Sequence, residues 1–162
     1  MLSAPSVFDG NGFEWMIRDS IEIVDFDNVQ HRNPVIALWK DVFGYEDARN
    51  RPGFVIDQKM AVNDGLFFVA LHRQQVVGTA MAGYDGHRGW IYSMAVHPQH
   101  RQKGIGSAIL AHAEKCLSSR GCVKINLQIL QHNHSVQHFY QANGYTTENR
   151  ISMGKQVDEN AP

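Results

Sequence analysis

The sequence has little cysteine. Two occur in 162 residues, Cys116 and Cys122, too few for a disulfide framework. The expectation is a reduced, cytoplasmic protein whose thiols fill core or surface. Cys116 falls in a late helical turn, not at the helix start or cationic site that would activate it. An excess of one charge is also missing. Fifteen basic and sixteen acidic side chains give a net charge of −1, which excludes the broad cationic surface of a general nucleic-acid binder. No apolar run approaches the roughly 18 residues that cross a bilayer. The first twenty residues lack a basic start followed by an apolar stretch, so no secretory leader is expected. Nine histidines make no metal motif. His134 and His138 share a helix face, but no third ligand stands at the required spacing.

Two phosphate-binding signatures are absent as well. The Walker form fails because Gly154-Lys155 is followed by Gln and lacks the earlier glycine. The dinucleotide form fails because Gly104-x-Gly106 is followed by Ile109 where a third glycine is needed. No acidic residue lies about 20 positions on to hold a ribose; position 126 is Asn.

What is present is one domain's worth of alternating patterns. Residues 1–20 have no clean period and read as a loosely held lead-in; 21–155 form a single domain; 156–162 are a polar tail. Ile21–Phe26 alternates as a half-buried strand. Pro34 opens a helix carrying Val35, Leu38, Trp39, Val42 and Phe43, which Gly44 ends. A weaker helix with Phe54, Ile56, Met60 and Ala61 follows Pro52. Leu66–Leu71 and Val76–Ala82 form a hairpin across His72–Gln75. The glycine-rich Gly83–Gly89 loop leads to a strand at Trp90–Val96, stopped by His97-Pro98. Gly104 to Arg120 is an amphipathic helix with Ile105, Ile109, Ala113 and Cys116/Leu117 on one face, closed by Gly121. Lys124–Leu130 is a strand, Ser135–Ala142 a helix and Tyr145–Met153 a last strand. The order predicts an α/β (α+β) domain: a mixed, mostly antiparallel sheet with one parallel crossover and helices on both faces.

Ser93–Ser107, SMAVHPQHRQKGIGS, is the most informative stretch. A strand meets a proline stop and a basic turn, and then Gly-x-Gly opens a helix. The first amides of a helix lack internal partners and carry partial positive charge. Glycine removes the Cβ that would hold a phosphate away from them, and Arg101 and Lys103 add charge. A diphosphate is the natural guest.

Arg101-Gln102-Lys103-Gly104-Ile105-Gly106 resembles the [Q/R]-x-x-G-x-[G/A] loop of the GCN5-related N-acetyltransferases. The preceding MAVHP resembles that family's fourth strand, which splays from its parallel neighbour. Asn133, Phe139-Tyr140 and Gly144-Tyr145 resemble the family's closing N-…-F-Y-x-x-x-G-[F/Y] segment, and GYDGHRG resembles a bacterial subfamily of small acetyltransferases. The resemblance implies acetyl-CoA as co-substrate and an amine acceptor. It implies that Met94, Ala95 and Val96 offer backbone groups to pantetheine, and that the amides of Gln102, Lys103, Gly104, Ile105, Gly106 and Ser107 hold the pyrophosphate. It further implies that Asn133 contacts the cofactor arm, that Tyr140 protonates the departing thiolate, and that the chain pairs as a homodimer. On helical spacing alone, Tyr140 reads as a core residue.

The chain departs from the family where a general base would stand. The fifth-strand position is Gln128, and the fourth strand starts Trp90-Ile91-Tyr92, so neither usual carboxylate is present. His87 and Asp85 are the nearest replacements in sequence. Tyr84, Arg88, Trp39, Phe43 and Tyr45 are candidate walls of an acceptor pocket, against an ordinary reading as turn and core residues. Three functions fit: acetyl transfer to a primary amine, favouring a small acceptor over a protein N-terminus or lysine; a non-catalytic acyl-CoA-binding module; and another phosphate binder using the same loop.

Overall fold

The computed structural model describes residues 20–44 and 50–157; the lead-in before Ser20, Tyr45 and the last five residues of the tail lie outside them. Five strands lie in the order β1 (Ile21–Asp25), β2 (Phe67–His72), β3 (Gln75–Tyr84), β4 (Gly89–Val96) and β5 (Ile125–Asn126). The first three pairings are antiparallel and the last is parallel. Helices α1 (Arg32–Phe43) and α2 (Pro52–Val62) connect β1 to β2; α3 (Ile105–Ser118) connects β4 to β5; α4 (His134–Ala142) follows. This is the expected mixed sheet.

Both faces are covered. On one side Val35, Leu38 and Trp39 of α1 and Ile56 of α2 pack on Phe67, Val69, Leu71 and Met81. On the other, Ile105, Ile109, Leu110, Ala113 and Leu117 of α3 and Tyr140 of α4 pack on Phe68, Ala70, Ala80, Ala82 and Ile91. Each fully buried large side chain contributes roughly 1.5–3 kcal/mol. β2 is buried on both faces, which is why its sequence is a continuous apolar run. Arg73 and Gln74, at φ +49° and +65°, make the tight two-residue turn into β3. At Gly78 a Cβ would lie 2.6 Å from Ile109 Cδ1 and 3.2 Å from the Ala95 carbonyl, so α3 sits directly on the β3 backbone.

Four expectations need correction. α1 starts at Arg32, ahead of Pro34: Asp27 Oδ1 accepts from the amides of Val29 and Gln30 and turns the chain earlier. The buried face of α2 includes Lys59 instead of the exposed Met60 and Ala61. Its Nζ donates to Asp64 Oδ2 at 2.7 Å and to the Ala82 carbonyl at 2.5 Å, and stands 5.6 Å from the centre of the Tyr92 ring. Partners on this scale make the buried ammonium tolerable. The strand expected at Lys124–Leu130 pairs over two residues only, and the one expected at Tyr145–Met153 does not form. That segment is held through side chains, Lys124 to Glu148 and Gln128 Nε2 to Ser152 Oγ at 2.5 Å, so no backbone ladder draws it into the sheet. Its alternating Ile151 and Met153 stay exposed.

Candidate active site

β4 changes character along its length. Gly89 and Trp90 are paired on both sides, to Tyr84 and Gly83 of β3 and to Ile125 and Asn126 of β5. Further on β5 has left, and the register with β3 jumps from Met81↔Tyr92 to Thr79↔Ala95. Ser93 and Met94 therefore have no cross-strand partner in register, and Ser93 sits at φ +49°. This is a bulge, with one extra residue on the strand. It also switches the alternation, so Ile91 and Met94 both meet the α3–α4 side while Ala95 meets the α1–α2 side.

Past the bulge, His97 N–H bonds the Val77 carbonyl at 2.9 Å, and a short turn, Pro98–His100, leads to Arg101. Arg101 Nε donates to the Val96 carbonyl at 3.1 Å, which ties the turn to the strand end. Gln102 and Gly104 take positive φ, +61° and +77°. Arg101, Gln102, Lys103 and Gly104 are exposed, whereas Ile105 is buried and anchors the helix. No side chain caps α3 and no acidic residue stands in its first turn. A Cβ at Gly104 would meet nothing within 4 Å. The free amides, two cations and open space suit a diphosphate.

The two glycines do different work. Gly104 supplies a left-handed turn facing solvent. Gly106 is set by packing: a Cβ there would approach the Phe139 ring to 3.1 Å and Met94 Cε to 3.6 Å. Helix α4 thus docks onto the first turn of α3 through a glycine, a contact the loop sequence gave no sign of.

Tyr140 lies at the bulge. Its hydroxyl donates to Met94 Sδ at 3.3 Å, and its ring packs edge-on against Phe139 and Tyr145. Burial pushes the phenol up to about 12, so it is a neutral donor throughout the physiological range. Tyr145 is raised too, by burial and then by its 2.9 Å bond to Glu114 Oε1. Asn133 caps α4: its Oδ1 accepts from Val136 N–H at 3.3 Å and from Ser135 Oγ at 3.2 Å, and among the described residues its Nδ2 has no partner. A cleft of about 1330 Å³ lies between residues 122–131 and 144–153, with Tyr140 of α4 and Glu114 of α3 on its wall; Trp90 is the one β4 residue that lines it, and neither the bulge nor the glycine turn does.

Of the remaining candidates Gln128 lines the cleft, and Tyr84, Asp85, His87, Arg88, Trp39 and Phe43 do not. Asp85 Oδ1 accepts from the amides of His87 and Arg88 at 2.7 and 2.6 Å, and the bonds from Arg88 and then His87 lower its pKa. It is a turn former in the β3–β4 loop. Four residues of strand, about 13 Å, separate the start of β4 beside this loop from the bulge. Arg88 folds back on the His87 carbonyl, and Tyr84 bonds the Gly86 and Gly121 carbonyls. Trp39 is 1% exposed and belongs to the core; Phe43 beside it is exposed. Gln128 is engaged with Ser152. Among the described residues no group of three or more His, Cys, Asp or Glu could hold a metal ion, and no helix is long and apolar enough to cross a membrane.

Several solved structures share this architecture. AAC(6')-Iy in complex with the bisubstrate analog CoA-S-monomethyl-acetylneamine is 16% identical, covering 86% of this chain and 100% of that one, with a TM-score of 0.70. PaiA N-acetyltransferase from Thermoplasma acidophilum in complex with coenzyme A is 19% identical over 82% and 93%, with a TM-score of 0.71. Glucosamine-6-phosphate N-acetyltransferase from Arabidopsis thaliana is 19% identical over 86% and 100%, with a TM-score of 0.64. The sequence pattern of the Acetyltransferase (GNAT) family matches residues 15–145. With the uncapped glycine turn, the bulged fourth strand and the parted parallel pair in place, the chain belongs to the GNAT family of acetyltransferases.

Proposed function

We propose that this protein is an acetyl-CoA-dependent N-acetyltransferase acting on a primary amine of a small molecule. One juxtaposition carries the reading. The bulged β4 leads, through the short turn Pro98–His100, to an uncapped, cation-flanked helix start, and the Tyr140 hydroxyl is 3.3 Å from the side chain of the bulge residue Met94. The amides from Gln102 to Ser107, with Arg101 and Lys103, hold the pyrophosphate. Met94, Ala95 and Val96 offer backbone groups to the pantetheine arm, and the free amide of Asn133 reaches it from α4. Coenzyme A supplies the activated acetyl group as its thioester.

The chain's part in the chemistry follows. An N–H of the bulge donates to the carbonyl oxygen as negative charge gathers there. The neutral amine forms the new C–N bond, the C–S bond breaks, and the Tyr140 hydroxyl hydrogen-bonds and then protonates the departing sulfur. The proton lost from the amine nitrogen passes through water and restores the phenol. A phenol near 12 is a weak acid for an ordinary thiol near 8.5, but the same apolar surroundings raise the thiol with it. With Gln128 at the fifth-strand position in place of a carboxylate, the amine attacks in its uncharged form.

This reading is tested by thiol release from acetyl-CoA across a panel of primary amines. Tyr140→Phe should lower kcat by about 10–100-fold, the usual worth of a positioned acid, with CoA affinity measured by calorimetry unchanged. In the wild type the rate should rise with pH through the acceptor's own pKa and then stay level, because the tyrosine keeps its proton until about pH 12. A falling limb between pH 7 and 10 would contradict the assigned acid. CoA binding without thiol release from any amine would make the chain an acyl-CoA-binding module instead.

A further inference from the structure

The bulge of β4 is held by two buried side chains from other elements. Trp39 Nε1 on α1 donates to Thr79 Oγ1 on β3 at 2.8 Å, and Thr79 Oγ1 donates to the Ser93 carbonyl at 3.0 Å. Thr79 is 0% and Trp39 1% exposed, so the bond between them is closed to water, while the bond to the half-buried Ser93 is partly shielded. Thr79 has a single hydroxyl proton. Because the indole N–H occupies an acceptor position of Oγ1, that proton is free to point at Ser93. Among the described residues every peptide bond is trans. In a trans peptide the carbonyl of one residue and the N–H of the next lie in one rigid plane and point in opposite directions. Fixing the Ser93 carbonyl on Thr79 therefore fixes the Met94 N–H in the opposite sense, away from Thr79. Ser93 pays for this arrangement with a positive φ that non-glycine residues rarely adopt, and Met94 is the residue whose sulfur receives the Tyr140 hydroxyl.

We infer that Trp39 and Thr79 are positioning residues, and that their relay sets the Ser93–Met94 peptide so that the Met94 N–H is aimed at the thioester carbonyl. The inference rests on the proposed use of acetyl-CoA. Neither residue touches the reacting atoms; both act through the peptide plane. A threonine that merely satisfied a buried indole would matter for stability and not for the electronic state of the bound acetyl group.

The test reads that state without an acceptor. Acetyl-CoA labelled with carbon-13 at the acetyl carbonyl is bound to the wild type, Thr79→Val, Thr79→Ser and Trp39→Phe, and the carbonyl stretch is isolated by isotope-edited infrared difference spectroscopy. Wild type should hold the band below its position in free acetyl-CoA, as a hydrogen-bonded carbonyl does. Thr79→Val, which keeps the shape and loses the hydroxyl, should return the band at least halfway to the free position, with CoA affinity unchanged. Thr79→Ser should restore the wild-type band. Trp39→Phe should move it the same way as Thr79→Val but less, and it carries the test if Thr79→Val does not fold. A variant band that coincides with wild type, even if melting temperature has fallen, overturns the inference and leaves the acetyltransferase reading intact. Failure of the wild type to bind acetyl-CoA overturns both.

Discussion

Two helices of this molecule, α3 and α4, solve the same problem differently at their starts. The first amides of α3 and α4 have no partners within their helices. At α4 the chain closes the end itself: Asn133 Oδ1 takes the Val136 N–H, and the helix start is satisfied from within. At α3 the leading residue is Gly104, with no side chain to cap anything, and the end stays available. One start serves the fold, and the other is left for a ligand. The Phe139 ring, in the second half of α4, packs against Gly106, so the body of the capped helix rests on the first turn of the open one.

The comparison can be broken by giving α3 a cap. Gly104→Asp places a carboxylate among the amides that the pyrophosphate requires, and aspartate is one of the few residues that accept a left-handed φ. CoA affinity by calorimetry should fall by at least about 100-fold, some 2.7 kcal/mol, while Gly104→Asn, of similar size and uncharged, should lose less. Equal losses for the two would make shape, and not charge, the reason for the glycine. Gly106→Ala tests the joint. Its methyl would meet the Phe139 ring at 3.1 Å, and overpacking of this kind costs about 1–3 kcal/mol, so the melting temperature should drop. Phe139→Leu combined with it should recover part of that loss. The smallest effect is expected at the closed end. Asn133→Ala removes the cap for about 1 kcal/mol, a melting shift of roughly 2–4 °C, and an unchanged midpoint would show that the cap is idle.

The open start was legible in the sequence because its signal is local: glycine after a basic turn, followed by a helical period. The hairpin and the apolar faces of α1 and α3 were legible for the same reason. The bulge was not. It sits at Ser93, where no glycine announces a positive φ, and it follows from a register shift that only the pairing of β3 with β4 can express. Lys59 was hidden because its burial depends on Asp64 and the Ala82 carbonyl arriving beside it. β5 and the Tyr145–Met153 segment carry sound strand periodicity, but alternation states which faces a strand would show and not whether a partner backbone lies alongside. Among the site candidates, Tyr140 could be placed by motif, while Asp85 and His87 were near in sequence and distant along the strand.

The missing side chain at Gly78 has a consequence for the whole active site. Because α3 rests on bare main chain there, with Ile109 filling the place a methyl would take, the sheet acts as a gauge block for the helix. The glycine turn at one end of α3 and the bulge in β4 are thereby indexed to a common bench. A ligand long enough to reach from one to the other meets a span machined into the protein before it arrives.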